Sequence, residues 1–400
     1  MRTLASAHSR YRLQLEELVH GEALLLAVEE AGLQWGWSGR RDWTRIHERF
    51  EPGCDPYATC VLATADEPQQ IVHVQAFRER RPETDTCAGD GHAGAAGWLR
   101  VTRFPSDPAL TTLESVLAAH RRSTVVRYRP GRRCTIRIGG KARIRFVKVY
   151  ANGGGRRAHA DSLELWRVAQ HGELGFVVAE PERFDDELCA VWHRSVVGEP
   201  VQRRLRGAWG EGLARRLGRA AGTLGRSSLR SSRRRELQAE LERSRLRGAE
   251  LERRVPELGE RVRRLLAALE DAHRDLDPSG APRPVHGALH LSQWLDGDAG
   301  FALLDYDSLA LGDPELDAAT FLADLDVENR ERVPVDRLAS AFVAGFAEAV
   351  GPLDLRRLAA YRAHGRLEKA LRVARAVRPD GDRKAGRRLN LALECLGEAA

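Results

Sequence analysis

The stretch that decides the fold lies at residues 285–295 and reads VHGALHLSQWL. It is followed by ALLDYD at residues 302–307 and by GDPELD at residues 312–317. Taken alone, an aspartate that follows an apolar strand is more often a turn or capping residue than a ligand. Three segments within residues 286–317 combine apolar residues with carboxylate or amide side chains.

Asp305 in the second motif and Lys148, which precedes all three motifs, have the chemistry that phosphoryl transfer needs. The reaction requires hard oxygen ligands for Mg²⁺, a cation for the phosphates and a group that orients the attacking hydroxyl. Asp305 ends an apolar strand and can present a carboxylate to Mg²⁺ held between phosphates. Lys148 lies in the apolar segment FVKVY at residues 146–150 and offers a compact positive charge.

Lysine is rare in this chain, whereas arginine is abundant. The lysines are Lys141, Lys148, Lys369 and Lys384. An ammonium and a guanidinium are not interchangeable where phosphate is bound, so a lysine inside an apolar strand is informative. The alternative is an ordinary exposed strand residue, because alternation places Lys148 on the face opposite its valine neighbours.

The three motifs resemble, in order and spacing, the C-lobe signature of the aminoglycoside-phosphotransferase and choline-kinase-like family. In that family the first motif reads His-Gly-Asp-x-His-x-x-Asn, the second ends in Asp-x-Asp and the third reads Gly-Asp-Pro-x-x-Asp. The resemblance covers residues 124–325 and implies an α+β, protein-kinase-like bilobal fold. Its N-lobe would be a small antiparallel sheet and its C-lobe mainly helical. The cofactors that the resemblance implies are ATP and Mg²⁺.

The resemblance also implies roles for individual residues. Lys148 corresponds to the lysine that contacts the nucleotide phosphates, and Glu164 on the following helix corresponds to its ion-pair partner. Asp305 and Gln293 correspond to the two metal ligands, with Gln293 standing where the family usually has asparagine. Asp307 corresponds to a further contact at the metal.

The first motif departs from the family at one position. His286, Asp313 and Asp317 correspond to residues that brace the loop, but Ala288 stands where the family has its catalytic aspartate. That carboxylate orients the attacking hydroxyl and accepts its proton, which is worth roughly 10²–10⁴-fold in rate. A methyl group can do neither. The nearest acidic replacements in the sequence are Asp296, Asp298 and Asp307.

Two functions therefore remain open. The first is an ATP-dependent phosphotransferase that acts on a small hydroxyl-bearing molecule, with its activity impaired by Ala288. The second is a pseudokinase, a nucleotide-binding or structural module that regulates a protein partner. The fold does not identify the acceptor. A polycationic aminoglycoside is disfavoured by the basic residues of the C-terminal helices, which include Arg356, Arg357, Arg362, Arg366 and Arg372.

Composition excludes several other classes of protein. The net charge is +7, but the basic residues between 203 and 264 alternate with glutamate at helical spacing, which argues against a nucleic-acid partner. The six cysteines form no CxxC pair, which argues against a zinc site or a disulfide framework. No apolar run reaches the roughly 20 residues that span a bilayer, so no membrane association is expected. Residues 1–20 lack the apolar core of a signal peptide, and a cytoplasmic protein is expected.

The pattern along the chain predicts three parts. Residues 1–123 form a helix plus a β-hairpin segment, residues 124–198 the N-lobe, and residues 199–400 the helical C-lobe. RFEPGC at residues 49–54 matches RYRPGR at 127–132, and VHVQAF at 72–77 lies opposite RFVKVY at 145–150. These matches indicate either a degenerate duplicate of the N-lobe hairpin or a coincidence between two amphipathic hairpins. In this alignment Gln75 takes the place of Lys148.

Overall fold

The fold is taken from a computed structural model of the chain. The structure describes residues 14–38, 41–51, 57–65, 69–79, 89–94, 97–120, 122–140, 144–151, 153–205, 210–277, 280–329, 335–376 and 380–398.

The N-terminal part is an antiparallel sheet packed against a helix. Its elements are α1 (Glu22–Gln34), β1 (Trp43–Glu51), β2 (Tyr57–Thr64), β3 (Ile71–Phe77), β4 (Gly89–Gly94) and β5 (Gly97–Arg103). The strand order is β1-β2-β3-β5-β4. Helix α1 buries Leu24, Ala27, Val28 and Ala31, which recur at the spacing of one helix face. The segment is therefore larger than the predicted helix and hairpin, because glycine-rich residues 89–94 pair with β5 as an edge strand.

The second sheet is the predicted N-lobe. Its elements, after the short helix α2 (Leu113–Ala118), are β6 (Ser123–Arg129), β7 (Arg133–Ile138), β8 (Arg145–Tyr150), α3 (Gly154–Gln170), β10 (Pro181–Asp185) and β11 (Ala190–Arg194). The strand order is β6-β7-β8-β11-β10, antiparallel throughout. Val147 and Val149 are buried in a cluster that also holds Val61 and Ile71 of the first sheet. Alternation therefore directs Lys148, between the two valines, away from this shared core.

The two sheets share one strand order, in which the fifth strand lies between the third and the fourth. Their registers also correspond, since Gln75 is opposite Thr59 while Lys148 is opposite Thr135. Helix α3 follows the third strand of the second sheet and has no counterpart among the described residues of the first sheet. The common order favours the hypothesis of a duplicated unit, which stays a prediction.

The remaining chain is the predicted helical lobe with two small sheets. Its helices are α4 (Val201–Arg204), α5 (Gly210–Gly222), α6 (Leu237–Arg254), α7 (Gly259–Arg274), α8 (Glu315–Asn329), α9 (Val335–Val350), α10 (Leu355–Arg375) and α11 (Gly381–Glu398). The short strands are β9 (Val177–Val178), β12 (Glu199–Pro200), β13 (Arg234–Arg235), β14 (Arg283–Val285), β15 (Trp294–Gly297), β16 (Gly300–Leu303) and β17 (Ala310–Gly312). Among the described helices, none is both long and apolar enough to cross a bilayer.

The core of this lobe positions the motifs. Trp294, Phe321, Phe342 and Tyr361 are buried in one cluster that also contains Leu303, at the end of β16. Strands β15 and β16 pair antiparallel and bring Trp294 opposite Leu303. The chain leaves this hairpin at residue 304, so the aspartates that follow β16 are held at the edge of a packed core.

Candidate active site

The site is built around a contact between β8 and the loop after β16. Lys148 Nζ donates to Asp305 Oδ1 at 3.0 Å and to Asp307 Oδ1 at 3.3 Å. Burial alone would raise the pKa of Asp305, but the charges of Lys148 and Arg133 outweigh it and hold that pKa well below its usual range. Asp305 is therefore ionised at neutral pH. The structure brings together Lys148 and Asp305, which the resemblance assigns to the nucleotide phosphates and to the metal.

A second basic residue reaches the same carboxylates. Arg133 at the start of β7 forms an ion pair with Asp307, and its guanidinium is 3.6 Å from Asp305. Tyr150 donates its hydroxyl to Asp307 Oδ1 at 3.2 Å. Neither Arg133 nor Tyr150 was predicted from the sequence. The available signal was strand register, because Arg133 is paired with Tyr150 two positions from the Thr135–Lys148 pair.

The predicted ion pair between Lys148 and Glu164 is wrong. Glu164 on α3 instead accepts from Arg167 at 2.9 Å and from the backbone N–H of Arg230 at 2.8 Å. One helical turn earlier, Asp161 pairs with Arg233, which also donates to the carbonyl of Asp307 at 2.7 Å. Glu164 thus faces the loop before β13, and the rotation of α3 keeps its carboxylate away from β8.

The loop that carries Ala288 is held by a buried aspartate on α8. Asp317 accepts from the backbone N–H of His286 at 2.6 Å and of Gly287 at 2.9 Å. Gly287 has φ +76°, and a Cβ there would lie 2.4 Å from the carbonyl oxygen of Ser308. The loop therefore requires glycine at this position. The predicted bracing by Asp317 is present.

The other two predicted bracing residues behave differently. His286 is fully buried, and burial lowers its pKa, so the ring is neutral beside Asp317. Asp313 is buried in the third motif. It accepts from the hydroxyl of Tyr361 at 2.7 Å and from Arg357 at 3.4 Å, and so joins the third motif to α10.

Two features of the candidate metal ligands stand out. Asp305 has φ +66°, a left-handed conformation that non-glycine residues rarely adopt and that clusters at functional sites. Gln293 is buried, and its Oε1 accepts from the backbone N–H of His290 at 2.9 Å. Its amide is thus turned toward its own short helical turn.

The chain also matches a known protein family. Residues 146–378, more than half of the 400 residues, match the family model described as APH, phosphotransferase enzyme family. The chain belongs to the phosphotransferase enzyme family. The predicted family is confirmed, and the match spans both Lys148 and the three motifs. No curated protein matches the chain.

Solved structures of similar fold agree with this family. Spectinomycin phosphotransferase APH(9)-Ia, in complex with ADP and spectinomycin, is 11% identical with a TM-score of 0.51 over 72% of this chain and 98% of its own. Choline kinase LicA from Streptococcus pneumoniae is 12% identical with a TM-score of 0.51 over 72% and 98%. Amicoumacin kinase hAmiN, in complex with AMP-PNP, Ca²⁺ and Ami, is 15% identical with a TM-score of 0.51 over 71% and 93%. At these identities they confirm the protein-kinase-like α+β fold.

In this phosphotransferase-family chain, the motifs and the β6–β7 hairpin enclose a cavity of about 340 Å³. Its lining residues are Arg129, Arg132, Arg133, Ala288, His290, Gln293, Asp305, Asp307 and Ser308. Of the three candidate replacements for the missing base, Asp296, Asp298 and Asp307, only Asp307 is in this described lining. Asp296 on β15 pairs with Arg204, and Asp298 is exposed at the β15–β16 turn.

The donor set of the cavity fits a magnesium ion that is shared with phosphates. Asp305 and Asp307 present carboxylate oxygens, and one or two carboxylates suffice where phosphates complete the coordination. Gln293 also lines the cavity, but its Oε1 already accepts from the backbone N–H of His290. No group of three or more His, Cys, Asp or Glu side chains gathers in the described part of the chain, so a metal cage made by protein alone is not present there. Arg133 and Lys148 already neutralise both carboxylates, and a metal must compete with them.

Proposed function

We propose that this chain is an ATP-dependent phosphotransferase that acts on a small hydroxyl-bearing molecule, with a chemical step slowed by the loss of its general base. The observation that carries the proposal is the Lys148–Asp305 contact at 3.0 Å, beside a cavity that also contains Ala288. The contact supports the proposal because phosphoryl transfer needs a cation for the phosphates and a carboxylate for the metal beside the acceptor.

In the proposed reaction the acceptor hydroxyl oxygen attacks the γ-phosphorus of ATP. A new oxygen–phosphorus bond forms, the bond from the γ-phosphorus to the bridging oxygen breaks, and ADP leaves. Lys148 would bind the phosphates and hold them in line with the acceptor. The hydroxyl proton must then pass to a base, and Ala288 offers none.

Asp307 is the remaining carboxylate near the acceptor side of the described cavity. It already accepts from Arg133, Lys148 and Tyr150. These three donors compete with the acceptor hydroxyl for the oxygens of Asp307. Transfer is then supported mainly by positioning and electrostatics.

Asp305, Asp307 and Gln293 are the residues that would hold Mg²⁺. When bound, the ion would neutralise charge on the phosphates. A readout of metal binding that does not depend on turnover is the stability of the protein at increasing Mg²⁺ with nucleotide.

A second candidate function is a pseudokinase that binds nucleotide, or only a protein partner, without transfer. One observation favours it. The carboxylates of Asp305 and Asp307 are already paired with Lys148 and Arg133, so the cleft is electrostatically satisfied without a metal.

The test is a thermal-shift titration of the full chain with MgATP. At 100-fold excess over the dissociation constant, binding stabilises the native state by about 2.7 kcal/mol. Asp305→Ala should abolish the Mg²⁺-dependent part of the shift, and Lys148→Met should weaken the shift. Lys384→Met is the matched control, because Lys384 on α11 pairs with Asp380, just before that helix, and lies outside the cavity lining. Titrations that are unchanged in both cleft variants would contradict nucleotide binding at this site.

A further inference from the structure

The hairpin between β6 and β7 carries several arginines, and only one of them has an ion pair among the described residues. Arg133 pairs with Asp305 and Asp307, but Arg127, Arg129 and Arg132 form no ion pair or side-chain hydrogen bond with any residue that the structure describes. The hairpin turns at Gly131, and the three free guanidinium groups stand within six residues of each other.

The positive charges of these arginines repel one another. The pKa of Arg129 is lowered to about 10, by burial first and then by the charges of Arg127 and Arg133. His47 on β1 is affected as well, because burial and then the charges of Arg129 and Arg49 lower its pKa to about 4. Like charges repel, so an anion at this place would relieve an unfavourable interaction that exists in its absence.

The carboxylates of Asp305 and Asp307 on the opposite wall are already paired with Lys148 and Arg133, and the charge of Asp305 offsets only part of the lowering of the Arg129 pKa. Asp324 near His290 is paired with Lys369 at 2.5 Å. Arg372 on α10 lies close enough to Arg127 for its charge to lower the pKa of that guanidinium, after burial and Arg133. A cationic acceptor would therefore meet arginines and already neutralised carboxylates.

Arg129 and Arg132 line the same cavity as Ala288 and His290. A molecule whose hydroxyl reaches the loop at Ala288 would thus place its other groups against the hairpin. Guanidinium groups bind phosphate and carboxylate through paired N–H donors, which gives both charge neutralisation and orientation.

We propose that Arg129 and Arg132 bind the phosphate or carboxylate group of the acceptor, so that the substrate of this chain is an anionic hydroxyl compound. This inference rests on the proposed function, since it assigns the acceptor class for the same cleft. The nucleotide carries the same phosphate chemistry, so the test must separate the two sources.

The experiment is isothermal titration of the full chain with inorganic phosphate, first alone and then after saturation with Mg²⁺ and AMP-PNP. Sodium chloride at matched ionic strength is the reference for nonspecific screening. We expect phosphate to bind the nucleotide-saturated protein, and the double variant Arg129→Gln/Arg132→Gln to weaken that binding at least about tenfold. The nucleotide affinity of the double variant should change less than about threefold.

Two controls keep the test clear of folding effects. Arg356→Gln changes an exposed arginine at the opposite end of α10 and should leave phosphate binding unchanged. Arg129→Lys/Arg132→Lys keeps both charges and should retain most of the binding. Removing two mutually repelling charges should not lower the thermal midpoint of the glutamine variant.

Phosphate that binds only without nucleotide would overturn the inference, because the two arginines would then belong to the nucleotide phosphates, and the proposed function would stand. If AMP-PNP does not bind but phosphate binding still depends on Arg129 and Arg132, the acceptor assignment fails together with the proposed function. Equal phosphate binding by wild type and the glutamine double variant would show that Arg129 and Arg132 do not bind the anion.

Discussion

Replacing Ala288 by aspartate should restore the missing base. Ala288 is half-buried, lines the cavity and follows Gly287, whose N–H is held by Asp317. The backbone of the loop is therefore already fixed, and the new side chain needs little rearrangement. A general base contributes roughly 10²–10⁴-fold. One partly exposed ion pair with a cavity arginine, worth up to about 1 kcal/mol, would reduce this about fivefold, so an increase of at least about tenfold is expected.

The assay is the rate of ADP formation from ATP, with and without an added hydroxyl acceptor, for wild type and Ala288→Asp. Ala288→Asn is the matched control, because it has the same size and polarity but no basic carboxylate. Both variants should retain the MgATP-induced thermal shift of the wild type. The free energy of unfolding should change little, since the cavity arginines can pair with the new charge.

Two results would refute the reasoning. Wild type that turns over at ordinary kinase rates of roughly 1–100 s⁻¹ would show that another residue supplies the base. Ala288→Asp that folds, binds MgATP and reacts no faster than Ala288→Asn would show that the base is not the only missing part. The pseudokinase function would then be favoured.

Two further predictions concern stability. Asp317→Asn should lower the free energy of unfolding by about 1–3 kcal/mol, because one of two buried N–H groups loses its acceptor; urea unfolding measures this, exposed Asp298→Asn is the control, and equal losses in both would contradict it. Burial lowers the pKa of His73 to about 4 and of His364 to about 3, against 6.5 when unfolded. The unfolded chain thus binds more protons as pH falls from 6.5, so stability should drop by roughly 2 kcal/mol per histidine by pH 5. Urea midpoints at pH 7.5 and 5 measure this drop, His364→Gln should reduce it, and an unchanged pH dependence in that variant would count against the assignment.

The parts of the site that the sequence predicted are those encoded by contiguous motifs. Asp305 follows the β15–β16 hairpin directly, and Asp317 lies at the start of α8, so the chain itself holds both close to the loop at His286. Lys148 is distant in sequence and was assigned through the family resemblance, and its contact with Asp305 agrees with that assignment.

The contacts that the sequence did not predict depend on the rotation of a helix about its axis and on the register of strand pairing. Glu164 and Asp161 lie about one helical turn apart on α3, and sequence alone does not fix which of them reaches the contacts beside Asp307. Arg133 reaches Asp307 across a separation of 174 residues, a contact that strand pairing of β7 with β8 creates. The same limitation applies to β4, whose glycines are typical of a loop but pair as an edge strand.

The N-terminal part of the chain contacts the elements on both sides of the cleft. Asp107, in the connection after β5, accepts from the backbone N–H of Gly131 and from the hydroxyl of Tyr128, both at 2.8 Å. The tip of the arginine-bearing hairpin is thereby tied to the segment that leaves the first sheet. On the other side, buried Arg254 of α6 donates to the carbonyl of Phe50 at 2.9 Å. The N-terminal sheet thus contacts both lobes, and opening the cleft by moving one lobe would break or strain at least one of these buried contacts.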